Sequence, residues 1–112
     1  MTQPTKTDAF SLDALLNRRV VLDTQGPLVY IGRLAARDEH GYWLTEADVH
    51  DRTDGHSTKE EYISQAQELE RTGSRNVNRR RVFVDCRAVV SISALDDVVS
   101  QAPLGEDGAW TP

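Results

Sequence analysis

At 112 residues, with 38% hydrophobic residues and a mean hydropathy of −0.53, the chain has material for one modest core, since a domain near this size buries roughly two-thirds of the surface its unfolded chain exposes. No apolar run approaches the roughly 20 residues that cross a bilayer, MTQPTKTDAF has no apolar signal region, and a cytoplasmic protein without membrane contact is expected. Thirteen Lys and Arg against 18 Asp and Glu leave a net charge of −5, which argues against a general polyanion binder while allowing a local basic patch, and a lone Cys86 excludes an internal disulfide.

Residues 1–9 are polar and are expected to be disordered. In SLDALLNRR, Leu12, Leu15 and Leu16 fall on one face of a short helix, with Ser11 or Asp8 to cap it and Arg18 and Arg19 at its C-terminal end. Val20-Val21-Leu22 reads as a first strand and Gln25-Gly26-Pro27 as a turn. The second strand runs from Leu28 to Arg37, and Gly32 inside it allows a sharp bend or a close backbone approach. Asp38 to Gly41 make a turn into a third strand, Tyr42 to Val49, whose bulk is Trp43 and Leu44.

After a polar stretch, Ser57 with Glu60 or Thr58 with Glu61 offers a capping box. Tyr62, Ile63, Ala66 and Leu69 follow at helical spacing, and Gly73 is a natural stop. A helix of about three to four turns is therefore inserted between strands, within a polar insertion of about 52–77. Arg75 to Arg81 read as a basic loop, and Val82-Phe83-Val84 and Val89 to Ile92 as strands four and five. Residues 96–112 read as an acidic, disordered tail beyond a domain spanning 10–95. Five short strands with a strong bend suggest a small, highly curved barrel.

At this point the residues resemble the Sm and Sm-like (LSm) family. Its first motif carries a strand glycine, an apolar residue two positions on and an acidic residue six on, which Gly32, Leu34 and Asp38 match. Archaeal members often continue Asp-Glu-His-Met-Asn-Leu-Val-Leu-Glu-Asp, beside which this chain reads Asp38-Glu39-His40-Gly41-Tyr42-Trp43-Leu44-Thr45-Glu46-Ala47-Asp48. The second motif, roughly apolar-apolar-Ile-Arg-Gly-Asp-Asn-apolar-apolar, aligns with Val82 to Val90, mainly in its apolar pattern. The resemblance covers about 11–95. It implies a mainly β fold: a strongly bent five-stranded antiparallel barrel with an N-terminal helix, here with a helix inserted between strands three and four. It also implies a homo-oligomeric ring of six or seven subunits in which strand four pairs with strand five of the next copy, hiding edges that would otherwise be exposed.

In RNA-binding members a residue after strand two stacks on a base, an Asn reads its edge and an Arg after strand four covers the other face. Carried over, the stacking position is His40, the Asn position is Tyr42 and the Arg-Gly pair is Asp85-Cys86, with Arg87 two residues on. A phenol lacks the paired donor and acceptor of an amide, and a carboxylate cannot cap a base as guanidinium does. The candidate RNA-binding residues are thus Asp38, His40, Tyr42, Asp85 and Arg87, with Arg79, Arg80 and Arg81 as phosphate contacts. Each also has a structural role open to it. Asp38 suits capping its own turn, Tyr42 or Trp43 suits packing, and the arginines suit balancing Glu60, Glu61, Glu68 and Glu70.

Asp48, His50, Asp51, Asp54 and His56 gather metal-ligand types. A calcium loop is rejected because its register puts His50 and Arg52 where carboxylates belong, which leaves a two-His zinc site open. No nucleophile triad, phosphate loop or dinucleotide signature appears, so neither an enzyme nor a cofactor is expected. The function expected first is a ring-forming protein that binds RNA or assembles ribonucleoproteins. The alternatives are an Sm-like scaffold that has lost the RNA site and meets a protein partner, in which case the inserted helix with Tyr62, Ile63 and Leu69 packs on its own barrel or on that partner, and an unrelated SH3-like barrel.

Overall fold

The computed structural model describes residues 10–54 and 57–99. The expected disordered N-terminus and most of the expected acidic tail lie outside them. Five antiparallel strands follow in chain order: β1 (Arg19–Thr24), β2 (Leu28–Asp38), β3 (Gly41–Asp51), β4 (Arg79–Asp85) and β5 (Val89–Ala94). A helix, α1 (Lys59–Arg71), lies between β3 and β4. The strands form one sheet in the order β4-β3-β2-β1-β5. The expected barrel is therefore an open sheet. β4 and β5 are its opposite edges and do not pair with each other.

The bend falls where Gly32 allows it. Register shifts interrupt the β2–β3 ladder between Ile31 and Arg33 and between Leu34 and Ala36, and such irregularities increase local twist. Across from Gly32, Glu46 takes a left-handed backbone conformation (φ 49°). A Cβ built on Gly32 would stand 2.9 Å from the Ala47 Cβ and 3.2 Å from the Leu44 Cβ. A glycine is what lets β3 cross so closely over β2 here.

Bending gives the sheet two packed faces. The inner core holds Val20, Leu22, Leu34, Leu44, Ala47 and Val84, with Leu15 and Leu16 packed against it. The segment expected to be an N-terminal helix is a single 3₁₀ turn, Leu12–Leu15, whose Ser11 makes no side-chain cap. The chain leaves that turn through Asn17 (φ 68°). Asn17 N–H donates to the Leu34 carbonyl (2.7 Å) and Leu34 N–H to the Arg18 carbonyl (2.9 Å), so pairing with β2 ends the helical stretch early.

The second core holds Val21, Val29, Ile31, Tyr62, Ile63 and Leu95, with Ala66 and Val98 against it. The inserted helix thus packs on its own sheet. Its start is the Thr58–Glu61 capping box: Glu61 N–H donates to Thr58 Oγ1 (3.1 Å) and Thr58 N–H to Glu61 Oε1 (2.9 Å). The Tyr62 hydroxyl donates to Asp48 Oδ2 at 2.6 Å, and its ring stacks on His50 at 4.2 Å. Burial and then Asp48 push the Tyr62 phenol pKa far above its usual value, so it stays a donor. Beyond β5 the backbone makes a 3₁₀ turn, Leu95–Asp97, and Gln67 Nε2 donates to the Leu95 (2.9 Å) and Val98 (2.7 Å) carbonyls. Ordered packing therefore extends into the stretch expected to be tail.

β4 begins three residues earlier than its apolar run suggests. Arg79 pairs with Ala47 and Arg81 with Thr45, placing Arg79, Arg80 and Arg81 on an edge strand instead of a loop. Backbone bonds to the long β3 carry the ladder there, and an edge strand tolerates charged side chains because one side faces water.

Candidate nucleic-acid interface

Two turns meet at one end of the sheet. The first joins β2 to β3 through Glu39 and His40. Asp38 Oδ1 accepts from the His40 N–H (2.7 Å) and the Gly41 N–H (3.1 Å), so its carboxylate is spent on shaping the turn. The second joins β4 to β5 through a 3₁₀ turn, Cys86–Ala88, which Asp85 caps by accepting from the Arg87 N–H (2.8 Å). Cys86 N–H donates to the His40 carbonyl (2.9 Å), and Cys86 Sγ lies 3.6 Å from the Glu39 carbonyl. The two turns are therefore clasped, and Gly41 pairs with Asp85 between them.

That clasp needs Gly41 to lack a side chain. A Cβ there would stand 2.2 Å from the Val84 carbonyl oxygen and 2.8 Å from Phe83 Cζ. Sequence reading placed this glycine only as a turn residue. Its other role depends on a strand more than 40 residues away, which no local pattern reveals.

The clasp presents His40 and Arg87. The His40 side chain is 75% exposed and that of Arg87 88%. Arg87 forks onto its own neighbour: Nε donates to Asp85 Oδ1 (3.1 Å) and Nη2 to Asp85 Oδ2 (2.8 Å). The Arg87 side-chain and backbone bonds hold the Asp85 carboxyl down at about 2, with His40 adding to the effect. In turn Asp85 raises the pKa of Arg87, fixing its positive charge. Two of five guanidinium N–H donors are used, so three donors and the planar face remain available. Asp85 therefore orients the arginine as well as partly neutralising it.

The other expected residues divide. Tyr42 is half-buried and packs against the inner core, so the rim does not present its ring as it presents His40. Trp43 points to the opposite face, 40% exposed, and contacts its cross-strand partner Phe83 with ring centroids 5.1 Å apart. Sequence reading missed this pair because a 27-residue connection hides the β3–β4 register. Arg75 is bound by Glu46 and Glu70, as a charge-balancing role requires. Arg79, Arg80 and Arg81 are exposed and form no ion pair with any described residue.

The zinc arrangement does not assemble. Asp48 accepts from Tyr62, and Asp51 Oδ1 accepts from the Thr53 N–H (2.8 Å) and hydroxyl (2.6 Å). Among the described residues no group of three or more His, Cys, Asp or Glu could hold a metal ion, and His56 lies outside them. A cleft of about 510 Å³ lies where β1, α1 and the turn after β5 meet, lined by Arg18, Arg19, Gln67, Glu70, Leu95 and Asp96 among others. Its charges pair internally, Arg18 with Asp96 at 2.8 Å and Arg19 with Glu70 at 3.3 Å. No described helix is long and apolar enough to cross a membrane.

The chain is similar in structure to an Sm protein of Pyrococcus abyssii solved in complex with a uridine heptamer, with a TM-score of 0.50 at 17% identity over 81% of this chain and 99% of that one. It also matches an SmAP (LSm) protein of Methanococcus vannielii, with a TM-score of 0.48 at 16% identity over 81% and 98%. No protein-family model and no curated protein sequence matches the chain. The chain has the Sm-like fold.

Proposed function

We propose that this protein binds single-stranded RNA at the clasped turns and assembles into a ring through the edges of β4 and β5. One observation carries the reading: the Cys86–His40 hydrogen bond holds both turns together and leaves His40 and Arg87 exposed on one rim. The imidazole stacks on a base, and the guanidinium, steadied by Asp85, covers the other face or contacts phosphate. The uridine heptamer bound to the Pyrococcus protein of the same fold supports this choice of ligand. Asp38 and Tyr42 act indirectly, one as turn former and the other as packing. No catalytic step, metal or cofactor is part of the reading.

The open edges support assembly, because an unpaired β4 and β5 on one sheet offer complementary rows of backbone donors and acceptors. The Asp85–Arg87 fork favours a second reading, a scaffold of the same architecture without RNA, because two of the five guanidinium donors already have an internal partner.

Two measurements test the proposal. Light scattering at micromolar concentration is expected to give a multiple of the 12.5 kDa chain, and a strict monomer overturns the ring. Oligouridylate titrated at two salt concentrations is expected to bind, and more weakly at the higher one. Replacing His40 and Arg87 by Ala is expected to weaken that binding with unfolding unchanged. Absence of binding even at low salt overturns the RNA reading and leaves the scaffold.

A further inference from the structure

β4 carries a pattern that the two turns do not use. Along a strand, alternate residues share a face, so Arg81 and Phe83 line one side and lead to Asp85, which orients Arg87, while Arg79 is exposed at the start of the same strand, opposite Ala47. Trp43, opposite Phe83 on β3, lies on the same side and broadens Phe83 into an aromatic step. Val82 and Val84 alternate with them and belong to the inner core. In a chain with net charge −5, these β4 arginines are exposed cations without a described carboxylate partner, while Arg18, Arg19, Arg37, Arg71 and Arg75 have one and Arg33 and Arg52 donate to the Asn17 side chain and the Gly26 carbonyl.

We infer that this face of β4 is a second stretch of the same RNA path, on which Trp43 and Phe83 stack a base and Arg79 and Arg81 hold the phosphates leading to or from the His40–Arg87 rim. From Arg79 to Asp85 the strand advances about 20 Å, enough for several nucleotides. An exposed aromatic surface flanked by arginines that have no described carboxylate partner suits single-stranded nucleic acid, since every base has a stacking face and the phosphates supply the missing negative charge. An apolar protein surface would leave the arginines uncompensated. The path rests on the RNA reading above and extends it from a rim contact to a strand-long one.

The test uses the full chain carrying Trp110→Phe, which leaves Trp43 as the sole tryptophan. Binding of end-labelled oligouridylate is followed by anisotropy, and Trp43 fluorescence is followed in parallel. The expected results are quenching of Trp43 on binding, a roughly ten-fold or greater loss of affinity in Trp43→Leu, and a salt slope shallower by about 1.4 in the Arg79→Gln/Arg81→Gln double variant. The arginine variant changes only exposed positions, so it reports on binding even if Trp43→Leu folds poorly. Three outcomes overturn the path. If His40→Ala/Arg87→Ala abolishes binding while both β4-face variants bind as the parent does, RNA binding stands and the path falls. If Trp43 emission shifts with protein concentration and not with RNA, a second copy covers the aromatic step instead. If the parent binds no oligouridylate, the path falls together with the reading it extends.

Discussion

Replacing Gly41 by Ala tests the clasp most sharply, because the obstacle is backbone. The added Cβ falls 2.2 Å from the Val84 carbonyl oxygen, 2.8 Å from Phe83 Cζ and 3.1 Å from the Asp85 Cα. Relief requires β4 to move about 1 Å away from β3, since van der Waals contact lies near 3.5 Å. That shift strains the Gly41–Asp85 pairing, at about 0.5–1.5 kcal/mol for each hydrogen bond lost. It also parts Trp43 from Phe83, a ring contact of about 0.5–1.5 kcal/mol. The expected loss is about 2–4 kcal/mol, in line with overpacking at a site that cannot relax easily, and more than about 8 °C in Tm. Two other glycines calibrate it. Gly32→Ala meets mainly the Ala47 and Leu44 Cβ atoms, at 2.9 and 3.2 Å, and is expected to cost less. Gly26→Ala meets nothing within 4 Å and is expected to be neutral or stabilising by up to about 1 kcal/mol. Urea and thermal unfolding at one fixed protein concentration measure all three, since assembly makes Tm concentration-dependent. A Gly41→Ala protein within about 0.5 kcal/mol of the parent, or an order in which Gly26→Ala is the worst, refutes the reasoning.

Three further outcomes are expected. The Asp85 carboxyl, held at about 2 by Arg87, should titrate there by NMR and return toward 3.8 in Arg87→Ala; an unchanged midpoint contradicts the fork. Because that folded pKa is depressed, its contribution to stability is present above about pH 4 and is lost as pH falls through about 2. Thr58→Ala removes the acceptor of the α1 capping box and should cost about 1 kcal/mol in urea unfolding, whereas Ser57→Ala should not. Tyr62→Phe removes the donor to Asp48 and should cost about 1–3 kcal/mol; alkaline difference absorbance of the parent against Tyr62→Phe should show the Tyr62 phenol un-ionised until the protein unfolds.

What the sequence made legible follows the range of the interactions. The Thr58–Glu61 box, the Gly73 stop and the Asp38 turn are written within four residues of where they act, and each appears as expected apart from its exact end. Gly32 was readable as a bend because a glycine inside the strand pattern Leu28–Arg37 has few other uses. The start of β4 was not readable, because Arg79 to Arg81 are strand only through pairing with β3 across the inserted helix. The N-terminal helix fails for the same reason: leucines at helical spacing yield to a backbone bridge between Asn17, Arg18 and Leu34. At the site, the motif spacing located both turns, but the Cys86 clasp, the Arg87 fork and the Trp43–Phe83 contact depend on register and rotamer. Neither quantity is visible in a single chain's residue order.

The pairing of β1 with β5 has a consequence for how the molecule comes into being. Val20 lies opposite Ala94, so β1, an interior strand of the finished sheet, waits for residues 74 positions downstream before both its sides are bonded. The β2–β3 hairpin, closed by two residues, can form while the rest is still being synthesised. β1 can join it early on one side only. Its other side is completed when nearly the whole domain has left the ribosome, and loops of that length close slowly. Until then the strand keeps an unpaired apolar edge, and the last strand made is the one that seals it.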